Sequence, residues 1–249
     1  MLYFERQKKI LELIKKHECV TVEFLCERIY ASPATVRRDL SQMFDGNLIT
    51  RVRGGAAILE GSNHDEPSLL RFTKNVEKKK KIAAIAMRYI KNSNTLFLDS
   101  SSTSAFLAKE LKAFQDLSVV TNGIQTINIL SKDASARVFA CGGLVIGDSS
   151  ITGPEALRMI KNFRADILFF SCVGFSLSSG ITDALQENAA VKREMIANSR
   201  KRILLCDSTK MNQEYFSRVC DSDEVDLIIT DSEPPSDILN SFRYKTVFS

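Results

Sequence analysis

The sequence has very little histidine, and its few cysteines are never closely spaced. Both histidines, His17 and His64, lie among the first 64 residues, so the larger remainder of the 249-residue chain has no imidazole for acid–base chemistry. The six cysteines include no Cys-x-x-Cys pair, which argues against a metal site. Most of them stand among apolar residues, as free thiols do in a reducing cytoplasm. We therefore expect neither a metal nor a cofactor.

The chain also lacks a signal peptide and any apolar run long enough to cross a bilayer. We expect a cytoplasmic protein that has no membrane partner. The net charge is only +4, but residues 1–57 hold ten basic and seven acidic side chains and so carry most of the excess. This excess is a weak sign of nucleic-acid binding, because a solvated basic surface gives the same count.

Residues 6–58 predict three helices followed by a β-hairpin. Thr21 is suited to cap the second helix, and Ser32, followed by a proline, is suited to cap the third. Two helices joined by a tight turn are typical of a helix-turn-helix. Leu48–Arg53 alternates like a strand, and the glycine pair after it permits a return strand, so the hairpin is predicted to form a wing.

The third helix is predicted to present small and basic side chains to solvent. At about 100° per residue, its apolar stripe consists of Val36, Leu40, Met43 and Phe44. The opposite face is narrow enough to enter the major groove of DNA, where arginine pairs with guanine or grips phosphate. Side chains alternate between the two faces of a strand, so both wing arginines are predicted to lie on one face, within reach of the DNA backbone or the minor groove. The candidate DNA contacts are Ser32, Ala34, Thr35, Arg37, Arg38, Ser41, Arg51 and Arg53.

From residue 82 onward, short apolar segments alternate with helical stretches. Segments such as TLFLD, ARVFA, ILFFSCVGF and RILLCD are rich in β-branched or aromatic residues. This alternation predicts an α/β domain whose largely parallel sheet carries helices on both faces. The run of four lysines at 78–81 favours a solvated helix face over a nucleic-acid patch.

Polar residues and glycines follow the predicted strands. Ligands bind at the carboxyl edge of open parallel sheets, so these residues predict a cleft. Hydroxyl groups and free N–H groups at a helix start suit a phosphate, and Lys210 supplies a positive charge. The candidate cleft residues are Asp99, Ser101, Ser102, Thr103, Thr121, Asn122, Gly142, Gly174, Glu187, Asp207 and Lys210.

These motifs resemble those of DeoR-type bacterial transcription regulators. The N-terminal match runs through TVRRDL at 35–40 to the Gly-Gly-Ala of the wing, and the cleft motifs extend it over most of the chain. Asn47 and Arg53 depart from the residues usual in the family, and Ser101 puts a side chain where the family's phosphate loop usually has glycine. The matched positions in the larger domain include Gly143, Gly153, Gly180, Lys192 and Ser208.

The resemblance implies an architecture and a function. It implies a winged helix-turn-helix over 1–58, a linker over 59–75, and an effector domain over 76–249 that looks like ribose-5-phosphate isomerase. We expect a repressor of sugar metabolism that binds double-stranded DNA and a phosphorylated sugar and that forms a homo-oligomer.

The alternative is a sugar-phosphate isomerase fused to a winged helix. Isomerisation needs a carboxylate base near the substrate. The stretch at 169–176, which corresponds to the acid-rich stretch of the isomerases, holds no acid. Asp99, Asp183, Glu187 and Asp207 remain near the cleft, where binding sugar hydroxyls or capping loops is the simpler role. We therefore expect a protein that is not an enzyme.

Overall fold

A computed structural model describes residues 3–45, 48–57, 68–132, 136–147, 149–242 and 245–248. The predictions for Asn47, for Ile58, for His64 and for the remainder of 59–67 lie outside the described residues. The chain divides into two compact units between Arg71 and Phe72. Each unit is described by itself.

The described part of the N-terminal unit contains helices and a small antiparallel sheet. Its elements are α1 (Tyr3–His17), β1 (Cys19–Thr21), α2 (Val22–Ile29), α3 (Pro33–Asp45), β2 (Thr50–Val52) and β3 (Gly55–Ala57). The predicted hairpin is β2–β3, and β1 pairs with β3 to give the strand order β1-β3-β2. The sequence does not predict β1, because a three-residue strand is too short to show an alternating pattern.

Local hydrogen bonds set the helix starts of this unit as the sequence predicts. The hydroxyl of Thr21 accepts from the backbone N–H of Phe24, and the hydroxyl of Ser32 accepts from that of Thr35 at 3.2 Å. The core between the helices is apolar and includes Ile10, Leu25, Val36, Leu40 and Met43. Gly55 is required where β3 meets β1, because a Cβ there would lie 2.0 Å from the carbonyl oxygen of Val20.

The prediction that Phe44 belongs to the core stripe of α3 is wrong. Phe44 is 48 % exposed, whereas Asp39 is fully buried. The helical angles explain the difference, since Phe44 falls near 80° from Val36 and Asp39 near −60°. The buried stripe is centred closer to Met43, because Asp39 points inward and pairs with Arg6 of α1.

The C-terminal unit alternates strands and helices, and α4 (Ser68–Thr73), part of the predicted linker, spans the division between the units. Its helices are α5 (Val76–Ala86), α6 (Ser102–Ala108), α7 (Ile124–Leu130), α8 (Pro154–Lys161), α9 (Gln186–Ala197) and α10 (Ser236–Phe242). Its strands are β4 (Thr95–Leu98), β5 (Leu117–Thr121), β6 (Ala136–Ala140), β7 (Leu144–Ile146), β8 (Ser150–Thr152), β9 (Ala165–Phe170), β10 (Gly174–Ser176), β11 (Gly180–Asp183), β12 (Ser199–Leu205), β13 (Ser217–Cys220), β14 (Leu227–Ile229) and β15 (Thr246–Val247).

A parallel seven-stranded sheet forms the centre of this unit. Its strand order is β15-β14-β12-β9-β4-β5-β6, and every neighbouring pair is parallel. Alternate residues of each strand enter two separate apolar clusters. Phe97 packs in the cluster that includes residues of α8, α9 and α10, while Leu96 and Leu98 pack in the cluster that includes residues of α5, α6 and α7. The predicted α/β domain, with helices on both faces of a largely parallel sheet, is confirmed.

Two antiparallel additions flank this sheet. The strands β10-β11-β13 form a small sheet, and β7 and β8 form a hairpin. The predicted strand at 167–175 is therefore interrupted. After Phe170, the Ser171 N–H donates to Asp99 and its hydroxyl donates to the Leu205 carbonyl at 2.6 Å, which turns the chain away from the ladder.

The prediction of a solvated face for the four lysines of α5 is wrong for Lys79, and Lys78 is half-buried. Lys79 is buried and its ammonium donates to the Lys74 carbonyl. The ammonium of Lys78 donates to the Ser208 hydroxyl and lies 3.4 Å from the Asp231 carboxylate. A run of like charges carries no helical period, so the sequence could not separate the inward side chains from the outward ones.

Two features are absent from the described residues. None of the helices they form has the length and apolarity that a membrane crossing requires. The same residues contain no group of three or more His, Cys, Asp or Glu side chains that could hold a metal ion.

Candidate DNA interface and ligand cleft

One face of α3 is free of core contacts and carries most of the predicted DNA-binding residues. Among the predicted contacts on α3 and at its cap, Ser32, Ala34, Arg37, Arg38 and Ser41 are exposed, whereas Thr35 is half-buried and shares a hydroxyl–hydroxyl contact of 2.9 Å with Ser32. The two arginines project outward because their neighbours on either side, Val36 and Asp39, point inward. The TVRRDL motif therefore folds as a core stripe with a paired-arginine outer face.

Asp39 fixes the orientation of α3. Its carboxylate accepts two hydrogen bonds from the Arg6 guanidinium of α1, from Nε at 2.5 Å and from Nη2 at 3.1 Å. A bidentate pair of this kind has a defined geometry as well as a favourable charge interaction. Because Asp39 follows Arg38 directly, the same pair determines where the Arg38 side chain leaves the helix.

The wing places both of its predicted arginines in solvent. Arg51 lies on β2 and Arg53 in the turn that follows, and both side chains are exposed. The Arg51 guanidinium donates to the Ser41 hydroxyl of α3 at 3.2 Å. The wing and the outer face of α3 therefore form one continuous polar surface, which carries four exposed guanidinium groups.

In the C-terminal unit, Asp99 is the centre of a buried hydrogen-bond network at the carboxyl end of β4. One of its carboxylate oxygens accepts from the hydroxyls of Ser101 at 2.6 Å and Ser104 at 2.5 Å. Ser101 is also the N-cap of α6, with a φ of −71°, and its hydroxyl accepts from the Ser104 N–H. The backbone at 101 therefore does not need glycine, and the serine serves as a cap.

Lys192 of α9 completes this network. Its ammonium lies 2.5 Å from the carboxylate of Asp183 and 3.4 Å from that of Asp99, and all three side chains are at least nine-tenths buried. Burial works against the charged form of Lys192, but the two carboxylates outweigh it and raise the pKa of the ammonium above its usual value.

A second ion pair lies at the end of β12. The Lys210 ammonium donates to the Ser171 hydroxyl at 2.9 Å and lies 3.6 Å from the Asp207 carboxylate. Burial alone would raise the pKa of Asp207, but Lys210 and the hydrogen bonds from Thr209 hold that pKa below its ordinary value. Ser171 connects the Lys210–Asp207 pair to the network around Asp99. Its hydroxyl accepts from Lys210, and its N–H donates to Asp99 at 3.1 Å.

Several polar atoms at this sheet edge are buried and have no hydrogen-bond partner among the described residues. They include Thr103 Oγ1 in α6 and Asn122 Oδ1 after β5. The Asn122 amide nitrogen, in contrast, donates to the Ile151 carbonyl, which fixes the side chain. Buried polar atoms are nearly always paired in proteins, so unpaired ones clustered at a sheet edge indicate a place for a polar ligand.

The remaining predicted cleft residues have more ordinary surroundings. Thr121 accepts from the Gly123 N–H, and Ser102 is buried in the first turn of α6. Gly142 is exposed, and so is Glu187 in the first turn of α9. Gly174 is needed for packing, because a Cβ there would lie 2.4 Å from the Gln213 carbonyl oxygen.

The candidate cleft contacts do not include Lys192, Asp183 and Ser171, which the structure connects to the cleft, although Asp183 is expected near it and Lys192 is a matched family position. One signal for Lys192 is present in the sequence. In α9 the buried positions Asn188, Met195 and Ile196 recur at helical spacing, and Lys192 falls in the same stripe. A lysine within an otherwise inward-facing stripe indicates a buried ion pair. Ser171 carries no such signal, because its position depends on the break in the predicted strand.

Comparison with protein families agrees with this two-unit arrangement. The DeoR-like helix-turn-helix domain matches residues 6–61, and the DeoR C terminal sensor domain matches residues 74–232. The chain belongs to the DeoR family. The resemblance drawn from the TVRRDL motif, the Gly-Gly-Ala wing and the strand-end residues is therefore confirmed.

Curated relatives of this DeoR-family chain match it over nearly its full length. It is 34 % identical over 246 residues to the HTH-type transcriptional regulator GolR of Listeria innocua, which covers 98 % of this chain and 95 % of the relative. It is 32 % identical to the glycerol-3-phosphate regulon repressor of Escherichia coli, covering 94 % and 93 % respectively. It is also 32 % identical to the HTH-type transcriptional repressor GlcR of Bacillus subtilis, covering 92 % and 89 %.

These relatives are regulators and repressors, which supports the regulator over the isomerase alternative. Among solved structures, ribose 5-phosphate isomerase A from Methanocaldococcus jannaschii is 13 % identical, covers 55 % of each chain and has a TM-score of 0.42. A similarity at that level says nothing about activity. Because relatives that match it over nearly the full length are transcriptional regulators, the DeoR-family chain is a transcriptional regulator.

Proposed function

We propose that this DeoR-family protein represses genes of sugar metabolism and that a phosphorylated sugar bound in the C-terminal unit controls its affinity for DNA. The observation that carries the proposal is the pairing of an outward arginine face in one unit with a polar, lysine-containing sheet edge in the other. The names of the relatives support it, since one is a repressor of a glycerol-3-phosphate regulon. A DNA-binding regulator of this kind works in the cytoplasm.

The proposed organisation is a DNA-binding segment over 1–58, a linker over 59–75 and a sensing domain over 76–249. The separate apolar cores of the two units support this division. The proposed DNA surface consists of Ser32, Ala34, Thr35, Arg37, Arg38, Ser41, Arg51 and Arg53. The proposed effector surface consists of Asp99, Ser101, Ser102, Thr103, Thr121, Asn122, Gly142, Gly174, Glu187, Asp207 and Lys210.

Arg38→Ala is expected to weaken binding to an operator, selected from random DNA by the wild-type protein, by roughly 1–3 kcal/mol. The side chain is exposed on α3 and one residue away from the Arg6–Asp39 pair that holds the helix. If Arg38 reads a base, preference at that base is also relaxed. Fluorescence anisotropy with labelled operator measures both effects.

The matched control is Arg158→Ala, which removes an exposed arginine of α8 whose partner, Glu155, is also exposed. It should leave DNA affinity unchanged. Wild-type affinity in a folded Arg38→Ala protein would show that α3 does not dock through this face.

A thermal-shift screen of phosphorylated sugars tests the sensing function. A ligand at 100 times its dissociation constant stabilises the folded state by about 2.7 kcal/mol, which is easily measured. Each sugar is compared with its unphosphorylated form, which should give no shift if the phosphate is bound through Lys210. A panel in which no phosphorylated sugar raises the midpoint more than its free sugar would contradict the proposal.

The protein is also proposed to form a homo-oligomer. One winged helix buries limited surface on DNA, and useful operator affinity normally needs two or more such heads. Light scattering at micromolar concentration should therefore give a mass that is a multiple of the chain mass. A mass equal to one chain, both in free solution and on operator DNA, would contradict the proposed homo-oligomer.

A further inference from the structure

Two cysteines of the C-terminal unit lie opposite each other where neighbouring strands end. Cys172 follows β9 and Cys206 follows β12, two residues beyond the paired positions Phe170 and Leu204. Their sulfur atoms are 3.9 Å apart, and the residues are 4 % and 0 % exposed. A disulfide holds its sulfur atoms about 2.05 Å apart, so a movement of roughly 2 Å separates these thiols from bonding distance.

The surroundings make the two sulfurs chemically unequal. The hydrogen bond shared with Cys206 lowers the pKa of the Cys172 thiol; burial opposes this, and the ammonium groups of Lys210 and Lys192 add to the lowering. The same interaction raises the pKa of Cys206. By comparison, burial raises the pKa of Cys141 to about 11 and that of Cys220 to about 12. Thiolates are the reactive form of cysteine, so Cys172 is the better nucleophile of the pair.

We propose that Cys172 and Cys206 are a redox modification site that closes to a disulfide when the protein meets a peroxide. No function described above uses these thiols. The geometry carries the proposal, since the two sulfurs face each other at the sheet edge, beside the Lys210–Ser171 contact.

The reaction balances with a peroxide as the oxidant. The Cys172 thiolate attacks one oxygen of hydrogen peroxide, the O–O bond breaks, and a sulfenic acid and hydroxide form. The Cys206 sulfur then attacks the Cys172 sulfur, the S–O bond breaks, and the Cys206 proton leaves with the hydroxyl group as water. The hydroxide takes the proton that Cys172 lost on ionising, so two thiols are oxidised by two electrons and one peroxide is reduced to two waters.

The disulfide would alter the effector site through the neighbours of the two cysteines. Closing the bond shortens the sulfur distance from 3.9 Å to about 2.05 Å. Ser171 and Asp207, the residues next to the cysteines, are the contacts of the Lys210 ammonium. This consequence rests on the proposed sensing function, whereas formation of the bond does not.

The test is treatment of the full-length protein with hydrogen peroxide, alkylation of the remaining thiols and mass spectrometry of the digest without reduction. We expect a peptide pair linked through Cys172 and Cys206 that dithiothreitol releases. Cys172 should react at least about tenfold faster than Cys220, the buried thiol with the raised pKa. Linkage of other cysteines alone, or equal rates at Cys172 and Cys220, would overturn the proposal.

Two variants locate the steps. Cys206→Ser should accumulate a dimedone-reactive sulfenic acid at Cys172, because the resolving thiol is gone. Cys172→Ser should leave Cys206 reduced, and Cys220→Ser should react as the wild-type protein does. A separate titration with the phosphorylated sugar found by the screen should show weaker binding to the oxidised protein, by about tenfold or more, as expected if Lys210 loses its position. Formation of the disulfide without that change would uphold the redox site and contradict its link to sensing.

Discussion

Lys192→Met is expected to destabilise the C-terminal unit by roughly 3–5 kcal/mol, because it leaves two buried carboxylates without their shared cation. Asp183 and Asp99 lie 2.5 Å and 3.4 Å from the ammonium, and neither side chain has appreciable exposure. In a unit of this size, a loss of that order lowers the thermal midpoint by roughly 10 °C. Circular dichroism during heating of the full-length protein measures it.

Arg158→Ala is the matched control for this prediction, since it breaks an exposed ion pair that contributes about 0–1 kcal/mol. Adding Asp183→Asn to Lys192→Met should recover part of the loss, because one of the two uncompensated charges is removed. A Lys192→Met midpoint within the range of the Arg158→Ala control would contradict the assignment of Lys192 as the cation that holds this sheet edge together.

Lys210→Ala is expected to weaken binding of the phosphorylated sugar at least tenfold, about 1.4 kcal/mol. An ammonium has three N–H donors, and the contacts with Ser171 and Asp207 account for two directions. A phosphate at the third would receive a charge-assisted bond that alanine cannot make. Isothermal titration with the sugar found in the thermal-shift screen measures the loss.

The control for Lys210→Ala is Lys210→Arg, which keeps the positive charge beside Asp207 and should retain more of the affinity. Circular dichroism must show the same fold in both variants. Equal weakening in the two variants would mean that the shape of the lysine, and not its charge, is what the site requires.

Much of the fold follows from local patterns in the sequence. The helix caps at Thr21 and Ser32, the wing hairpin and the strands of the parallel sheet are each produced by residues close together in the chain. Strand β1 and the antiparallel strands β11 and β13 are not predicted, and β10 is predicted only as the end of a longer strand over 167–175. They are short, and their pairing depends on segments that are distant in sequence.

The site was predictable where it follows strand ends and less so where it depends on tertiary contacts. Asp99, Asn122 and Asp207 lie at the carboxyl edge because they directly follow parallel strands. The inward turn of Asp39, however, depends on Arg6 from another helix, and the joining role of Ser171 depends on a strand that stops early. Such contacts leave no periodic signal in a single sequence.

The most direct test is a DNA titration of the wild-type protein and of Lys210→Ala, each with and without the phosphorylated sugar. Without sugar, both proteins should bind the selected operator equally, because the winged helix has its own core. With sugar, only the wild-type affinity should change, since an effector acts through its different affinities for two states of the protein. A Lys210→Ala protein that responds to the sugar as fully as the wild type would contradict the proposed effector site.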